Sequence, residues 1–328
     1  MFEPPSATPF TAVISETDSP TTFERALWAF IGYLLLVVLF GAWVRISFSG
    51  AGCGQHWPTC QGAVIPPSPR FETLVEYTHR LSSGLLGLMD LGLLAWAWRR
   101  DDVEDRVVRG LLATTFFVVV EALIGAGLVL AELVEHDASV ARAVVVGFHL
   151  ANTFLLTAAA ALSAWWASGG STPNWTGTVL ERGAVGVLGV LVLIGMTGAV
   201  TALGDTLFPI DPTVGEGWVQ KLRTSLSPAE HFLVRLRVVH PLLAVLGAVA
   251  LAIFANEVRT GPAGGRAGRP AAALLGLVVL EVAAGFLNLM LGAPGWLQIV
   301  HLLLAQLVWI TAVLTTNEVM ADARTTPG

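Results

Sequence analysis

Eight long apolar runs constrain the fold of this chain more than any other feature of its sequence. Each holds about 20 residues or more, enough to cross the roughly 30 Å hydrocarbon core of a bilayer as a helix. The sequence is 54% hydrophobic and 13% charged, whereas soluble domains carry about 25% charged residues. It therefore predicts an all-α integral membrane protein with spans near residues 26–48, 74–98, 107–131, 141–166, 182–203, 232–255, 271–291 and 296–319.

Basic residues in the short loops indicate how the spans are oriented. Two loops, between spans 2 and 3 and between spans 6 and 7, hold clusters of arginines: Arg99, Arg100, Arg106 and Arg109, then Arg259, Arg266 and Arg269. Short cytoplasmic loops are enriched in Lys and Arg. We therefore expect a multi-pass plasma-membrane protein with both termini in the cytoplasm and the 1–2, 3–4, 5–6 and 7–8 loops outside.

Four histidines share one depth in this topology. His79, His149, His240 and His301 lie in the first part of spans 2, 4, 6 and 8, which all enter the bilayer from the outer side. At 1.5 Å rise per residue they lie roughly 8–12 Å below the outer boundary. The pattern predicts one layer of imidazoles toward the outer side of the membrane.

An internal repeat accounts for this layer. Span 3 contains Glu121-Ala-Leu-Ile-Gly125, and span 7 contains Glu281-Val-Ala-Ala-Gly285. The chain therefore divides into two pseudo-symmetric four-helix bundles, residues 25–168 and 181–320, joined by a linker at 169–180. The polar segments 1–24 and 321–328 are interpreted as tails, the first of them disordered and not a signal peptide.

Paired imidazoles on facing helices of a bundle can hold an iron porphyrin. Each repeat supplies two histidines, so the pattern predicts two haem sites. For a single histidine the alternative is an interhelical hydrogen bond, and the main competing metal is zinc. Zinc is disfavoured because the spans contain no close-spaced cluster of Cys and His ligands.

Four arginines near the histidines are candidates for binding haem propionates, because a guanidinium binds a carboxylate through two parallel hydrogen bonds. Arg237 lies one turn before His240 on the same helix face. Alternatively, these side chains only extend toward the membrane surface. The candidates are Arg80, Arg237, Arg142 and Arg235.

Glu76 distinguishes the first half from the second. It lies three residues before His79, whereas the equivalent position before His240 is Arg237. A carboxylate beside one haem only favours chemistry in the first half, as a general base or a stabiliser of developing positive charge. The alternative is an ion pair with Arg80 or another arginine.

Three further features leave alternatives open. Glu121 and Glu281 lie mid-span in both repeats, either as paired architecture or in catalysis. Cys53 and Cys60 share the outer 1–2 loop, where a disulfide is permitted and a redox-active pair is the alternative. Pro241, directly after His240, is expected to kink span 6.

Several motifs together resemble the haem A synthase family. The motifs are Gly41-x-x-Val-Arg45, Ser49-Gly50, Cys53…Trp57-Pro58…Cys60-x-Gly62, Ile65-Pro66 and Glu76-x-x-His79-Arg80, followed by the three later span histidines. The resemblance runs from span 1 to span 8, and the cysteine loop followed by Glu-x-x-His-Arg is its most specific part. Two departures concern the loops: Gly54-Gln55-His56 stands where the family often has Pro-Asp, and the 5–6 loop lacks a second cysteine pair.

The resemblance implies an enzyme that oxidises the C8 methyl group of haem O to a formyl group, giving haem A for terminal oxidases. It implies that His79 and His149 bind the substrate haem, with Glu76 catalytic. It places the cofactor haem b on His240 and His301. It also implies a Cys53–Cys60 disulfide that assists activity.

Two other functions compete with this interpretation. One is a di-haem, quinol-linked electron-transfer protein, which leaves the single Glu76 unexplained. The other is a non-catalytic haem carrier. The expected partners are membrane lipid and haem O, with a haem O synthase, an electron donor or acceptor and a second copy of the chain left open. The net charge of −6 argues against nucleic acid.

Overall fold

The computed structural model describes residues 21–209, 218–261 and 265–322. Within these ranges the chain is helical and contains no named strand. The helices are α1 (Thr22–Ile46), α2 (Phe71–Trp98), α3 (Asp105–Leu130), α4 (Val140–Ala167), α5 (Val179–Leu207), α6 (Trp218–Leu226), α7 (Phe232–Leu236), α8 (Val239–Thr260), α9 (Gly268–Met290) and α10 (Gly295–Asp322).

Eight of these segments are long and apolar enough to cross a membrane, with α7 and α8 together forming the sixth. The predicted all-α, multi-pass membrane class is therefore confirmed. Which end of the bundle faces the cytoplasm stays a prediction. The end that carries the 1–2 loop with its two cysteines is called the disulfide-loop end below.

The helix boundaries correct the predicted tails and linker. Thr21 caps α1 in a capping box with Glu24, so residues 22–24 belong to the first helix and not to a tail. Thr178 and Glu181 cap α5 in the same way, so the linker ends earlier than predicted. Helix α10 reaches Asp322. Residues 1–20 and 323–328 of the predicted tails lie outside the described residues.

Span 6 is interrupted immediately before its histidine. Helix α7 ends at Leu236 and α8 begins at Val239. Pro241 has no N–H to give to the carbonyl of Arg237 four residues earlier, and its ring crowds that carbonyl. The break therefore lies where the proline predicts it. The short helix α6 was not predicted, because it lies in a segment interpreted as loop.

Helix contacts close two rings. Helices α1 and α3 each contact α2 and α4, while α5 and α9 each contact α8 and α10. Helices α4 and α10 pack against each other, and α4 also contacts α5. This connectivity suits the two predicted four-helix halves, whose limits and pseudo-symmetry stay a prediction.

Helices α4 and α10 form part of the junction between the halves. The rings of Phe154 and Trp309 stack with centroids 4.9 Å apart, and the indole N–H of Trp309 donates to the carbonyl of Phe154 at 2.6 Å. Near the opposite end, Trp165 donates to Glu318 at 2.6 Å. These contacts fix the two helices that carry His149 and His301.

Candidate haem sites

The four span histidines lie in one layer near the disulfide-loop end. His79, His149, His240 and His301 follow the first residues of their spans by 8, 9, 8 and 6 residues. At the rise of an α-helix this corresponds to roughly 9–14 Å of depth. The structure therefore places the four histidines at similar distances from the starts of their spans.

The second-half pair has the spacing of two ligands on one metal ion. The ring centroids of His240 and His301 are 6.3 Å apart, with their planes at 71°. Metal–imidazole bonds of about 2 Å on either side of one ion need ring centres about 6 Å apart. The two rings thus leave room for one iron between them.

His240 is oriented for ligation through Nε2. Its Nδ1 lies 3.2 Å from the carbonyl oxygen of Ile194 and 3.4 Å from the hydroxyl of Thr197. Because a carbonyl can only accept, Nδ1 carries the proton and Nε2 keeps its lone pair. An acceptor bonded to the nitrogen that does not face the metal fixes the tautomer of a metal-ligating histidine.

A carboxylate approaches the other histidine of each half. Nδ1 of His149 lies 3.2 Å from Oε1 of Glu121, and Nδ1 of His301 lies 3.1 Å from Oε2 of Glu281. The sequence left the roles of both acids open and did not predict this pairing. The internal repeat was the available signal, since each half has a mid-span glutamate followed by a histidine in the next span.

Three glycines make space for the imidazoles. A Cβ on Gly41 would lie 3.3 Å from the His79 ring, one on Gly198 would lie 3.0 Å from His240, and one on Gly285 would lie 3.1 Å from His301. Such contacts are tighter than ordinary van der Waals packing. The glycines therefore form a cradle that any side chain would push into.

The donor set fits haem better than a protein-only metal site. No group of three or more His, Cys, Asp or Glu side chains in the described parts of the chain could hold a metal ion. A porphyrin supplies four ligands of its own, so two imidazoles suffice.

The buried Nδ1 of His79 has no hydrogen-bond partner among the described residues, and the centroid of the Phe40 ring lies 5.4 Å from that of the His79 ring.

Glu76 is buried under the 1–2 loop. Its residue surface is 3% exposed, and its Oε2 accepts a hydrogen bond of 2.7 Å from the backbone N–H of Cys53. Its Oε1 accepts from Arg80, with a 3.1 Å contact to Nε and an ion pair to the guanidinium. The ion pair that the sequence left as an alternative is present, and Glu76 still shares a helix face with His79.

Arg80 also ties down the loop. Its Nη1 donates to the carbonyls of His56 at 2.6 Å and Thr59 at 2.8 Å. The predicted Cys53–Cys60 disulfide is confirmed. The loop, the disulfide and the start of α2 therefore form one connected unit over the first-half site.

The other candidates for binding propionates differ in whether their guanidinium groups already form hydrogen bonds or ion pairs with the protein. Arg142 is buried and donates to the carbonyls of Glu135 and Asp137, both at 2.7 Å. Arg237 is buried and pairs with Asp205 at 2.8 Å. Arg235 is exposed. The guanidinium groups of Arg80, Arg142 and Arg237 thus have protein partners in this structure.

Arg45 joins the two halves. From the sequence it was noted only as the last residue of the Gly41-x-x-Val-Arg45 motif. It donates from α1 to the carbonyl of Ala202 on α5 at 2.8 Å and to the side chain of Gln298 on α10 at 2.9 Å. Gln298 lies one turn before His301. The charge was visible in the sequence, whereas its partners in another repeat were not.

A family model described as cytochrome oxidase assembly protein matches residues 24–313. The chain belongs to the COX15-CtaA family. The resemblance drawn from the cysteine loop and the Glu-x-x-His-Arg motif is confirmed by this match.

Relatives of the family differ in name and in coverage. A Thermus thermophilus protein named "Protoheme IX farnesyltransferase" is 47% identical over 301 residues, covering 89% of this chain and 48% of that protein. A "Heme A synthase" of Halalkalibacterium halodurans is 44% identical over 97 residues, and one of Symbiobacterium thermophilum is 43% identical over 97 residues. The chain spans about half the length of the first of these relatives, and its matched segment covers about a third of each of the other two.

Proposed function

We propose that this chain is a haem A synthase, which oxidises the C8 methyl group of haem O to a formyl group. The observation that carries the proposal is the 6.3 Å separation of the His240 and His301 rings, together with a second histidine pair beside which Glu76 is buried. The family and the haem A synthase relatives support the same activity.

In this proposal the two halves have different tasks. His79 and His149 of the first half (25–168) bind the substrate haem and orient it, while His240 and His301 of the second half (181–320) hold a resident haem b. Haem iron bound between two imidazoles supplies one-electron redox chemistry. The histidine layer faces the outer side of the plasma membrane, and both termini are cytoplasmic.

Glu76 is the proposed general base of the first-half site. Turning a methyl into a formyl group with oxygen taken from water releases four protons and four electrons, so that route needs an external electron acceptor; if dioxygen supplies the oxygen atom, dioxygen is itself the oxidant and its second oxygen atom leaves as water. The carboxylate of Glu76 lies one turn from His79 and can take up a released proton. The Cys53 N–H and Arg80 hold it in place.

Anchoring of the propionates falls to arginines at the same end of the bundle. Arg235 is exposed and is the candidate whose guanidinium makes no hydrogen bond or ion pair with another described residue. Arg80, Arg142 and Arg237 can serve only by sharing donors that the protein already uses. Arg235 is therefore the first candidate to test for this role.

The decisive experiment supplies haem O to the purified protein with an electron acceptor and follows bound and released pigment by haemochrome spectra. Formation of a formyl haem, with one haem b retained per chain, is the expected result. Two retained b-type haems and no formyl product would favour the electron-transfer protein. Haem that binds and leaves unchanged would favour a carrier.

We also propose that the chain receives haem O from a haem O synthase beside it in the membrane. The support is the Thermus relative, whose name describes farnesyl transfer to protohaem and of which the match occupies 48%. Co-expression of the tagged chain with a separate farnesyltransferase, followed by crosslinking and co-purification, tests this. Recovery no greater than with an unrelated multi-pass protein would contradict it.

A further inference from the structure

The two halves support their α4 and α10 histidines differently. In both halves a glutamate on the preceding helix reaches Nδ1 of the histidine, at 3.2 Å for Glu121 and His149 and at 3.1 Å for Glu281 and His301. The contact is thus a repeated feature of the fold. What differs is the rest of the surroundings of the carboxylate.

In the first half, Glu121 already accepts hydrogen bonds from two donors other than His149. Nδ2 of Asn152 donates to Oε2 at 2.5 Å, and the hydroxyl of Thr153 donates to Oε1 at 2.6 Å. Both residues lie one turn after His149 on α4. The oxygen that faces His149 is therefore the same one that Thr153 uses.

In the second half, Glu281 has no such competitors. The positions three and four residues after His301 are Leu304 and Ala305, which have no side-chain donor. Neither Oε2 of Glu281 nor the Nδ1 of His301 that it faces at 3.1 Å makes a hydrogen bond of regular geometry with a described residue, so this oxygen is not shared with another donor. Its accepting capacity is available to the His301 imidazole alone.

A carboxylate that accepts from Nδ1–H raises the basicity of the ligating nitrogen and fixes the ring orientation. A shared acceptor does this less than a dedicated one, because each oxygen has limited lone-pair capacity. We propose that Glu281 makes His301 a stronger iron ligand than Glu121 makes His149. Glu281 and Glu121 are then positioning residues that keep one haem in place and let the other exchange.

This inference rests on the proposed function, which requires one haem to stay and one to leave. It adds the residues that set the difference: Glu281 as a dedicated acceptor, and the Asn152 and Thr153 donors as competitors for Glu121. The sharpest test therefore introduces such donor side chains beside Glu281 and removes them beside Glu121. These substitutions change the hydrogen bonding of each glutamate without altering a proposed haem ligand.

The first variant is Glu281→Gln, with Glu257→Gln as the matched control, since Glu257 is an exposed acid at the far end of α8. Two quantities are measured on each purified variant. One is the rate at which haem b transfers to an excess of a haem-scavenging apoprotein, and the other is the midpoint potential of the bound haem b. We expect transfer to become about 10–100-fold faster, the range found when outer-shell partners are removed, and the potential to rise. Unchanged transfer and potential would overturn the inference.

Two double variants keep the inference testable if Glu281→Gln fails to fold. Leu304→Asn with Ala305→Thr gives Glu281 the competing donors, and faster loss of haem b is expected. Asn152→Leu with Thr153→Ala frees Glu121, and slower release of haem from the first half is expected. If both double variants release haem at the parental rates, the inference is wrong.

Failure of the proposed function would look different. His301→Ala should abolish haem b binding. If that variant keeps its haem b, the ligand assignment itself is wrong. If His301→Ala loses haem b while the Glu281 and donor-exchange variants behave like the parent, only the positioning role is wrong.

Discussion

The backbone N–H of Cys53 donates a 2.7 Å hydrogen bond to the buried carboxylate of Glu76. Cys53 is also one end of the disulfide to Cys60. The proposed base and the loop covalently closed above it are therefore a single structural unit. A change in the loop should therefore alter the position of the Glu76 carboxylate, even though the loop contains no proposed haem ligand.

Opening the disulfide is expected to lower haem A formation without removing haem b. In Cys53→Ser with Cys60→Ser the loop is no longer closed, so the N–H that holds Glu76 is less well placed. A hydrogen bond to a charged group contributes about 1.5–3 kcal/mol, so the rate should fall about tenfold or more. Product formation and haemochrome spectra measure the two effects, and loss of haem b in proportion to activity would contradict this.

Glu76→Gln is expected to stop the chemistry while leaving the shape of the site. The amide cannot take up a proton, and general bases contribute about 10²–10⁴-fold to rates. Haem A formation should fall by at least about 100-fold with haem b content unchanged. Glu72→Gln is the control, because Glu72 is an exposed acid one turn earlier on α2. Equal activity in the two variants would refute the assignment.

Gly198→Ala is expected to disturb haem b through His240. The added methyl would lie 3.0 Å from the imidazole, so the ring must move and its bond to iron weakens. The visible spectrum should shift and bound haem b should fall. Gly189→Ala, on the same helix with nothing within 4 Å of the added methyl, should match the parent. A larger loss of haem b in Gly189→Ala than in Gly198→Ala would show that Gly198 does not make space for the His240 ring.

Gly41→Ala makes the corresponding change in the first half. Its methyl would lie 3.3 Å from the His79 ring, so binding of added haem O should weaken while resident haem b is retained. Gly32→Ala on α1 meets nothing within 4 Å and is the control. A titration of each variant with haem O, monitored by absorbance, provides the measurement. Loss of haem b in place of haem O binding would mean that the halves are assigned in the wrong order.

Arg45→Ala is expected to loosen the junction between the halves. The substitution leaves the carbonyl of Ala202 and the side chain of Gln298 without their charged donor. At about 1.5–3 kcal/mol for hydrogen bonds to a charged group, the melting temperature should fall by about 5 °C. Thermal unfolding in detergent tests this against Arg25→Ala, an exposed arginine at the other end of α1. Equal melting temperatures would show that the bridge adds no stability.

Much of the candidate site could be predicted from the sequence because the bilayer limits the possible structures. Backbone groups in hydrocarbon must pair within the segment, so apolar runs become helices and a position along a run becomes a depth. The layer of His79, His149, His240 and His301 follows from this reasoning. The capping boxes at Thr21 and Thr178 were also readable, yet the predicted tail and linker boundaries overlooked them.

The sequence by itself therefore determined the membrane class, the eight spans and the four histidines with Glu76 beside one of them. Only the tertiary structure decided that Glu121 and Glu281 reach Nδ1 of His149 and His301, and that Arg45 crosses from α1 to the second half. The physical reason is that periodicity fixes the depth and face of a side chain within its own helix. Which neighbouring helix faces it depends on how the whole bundle packs.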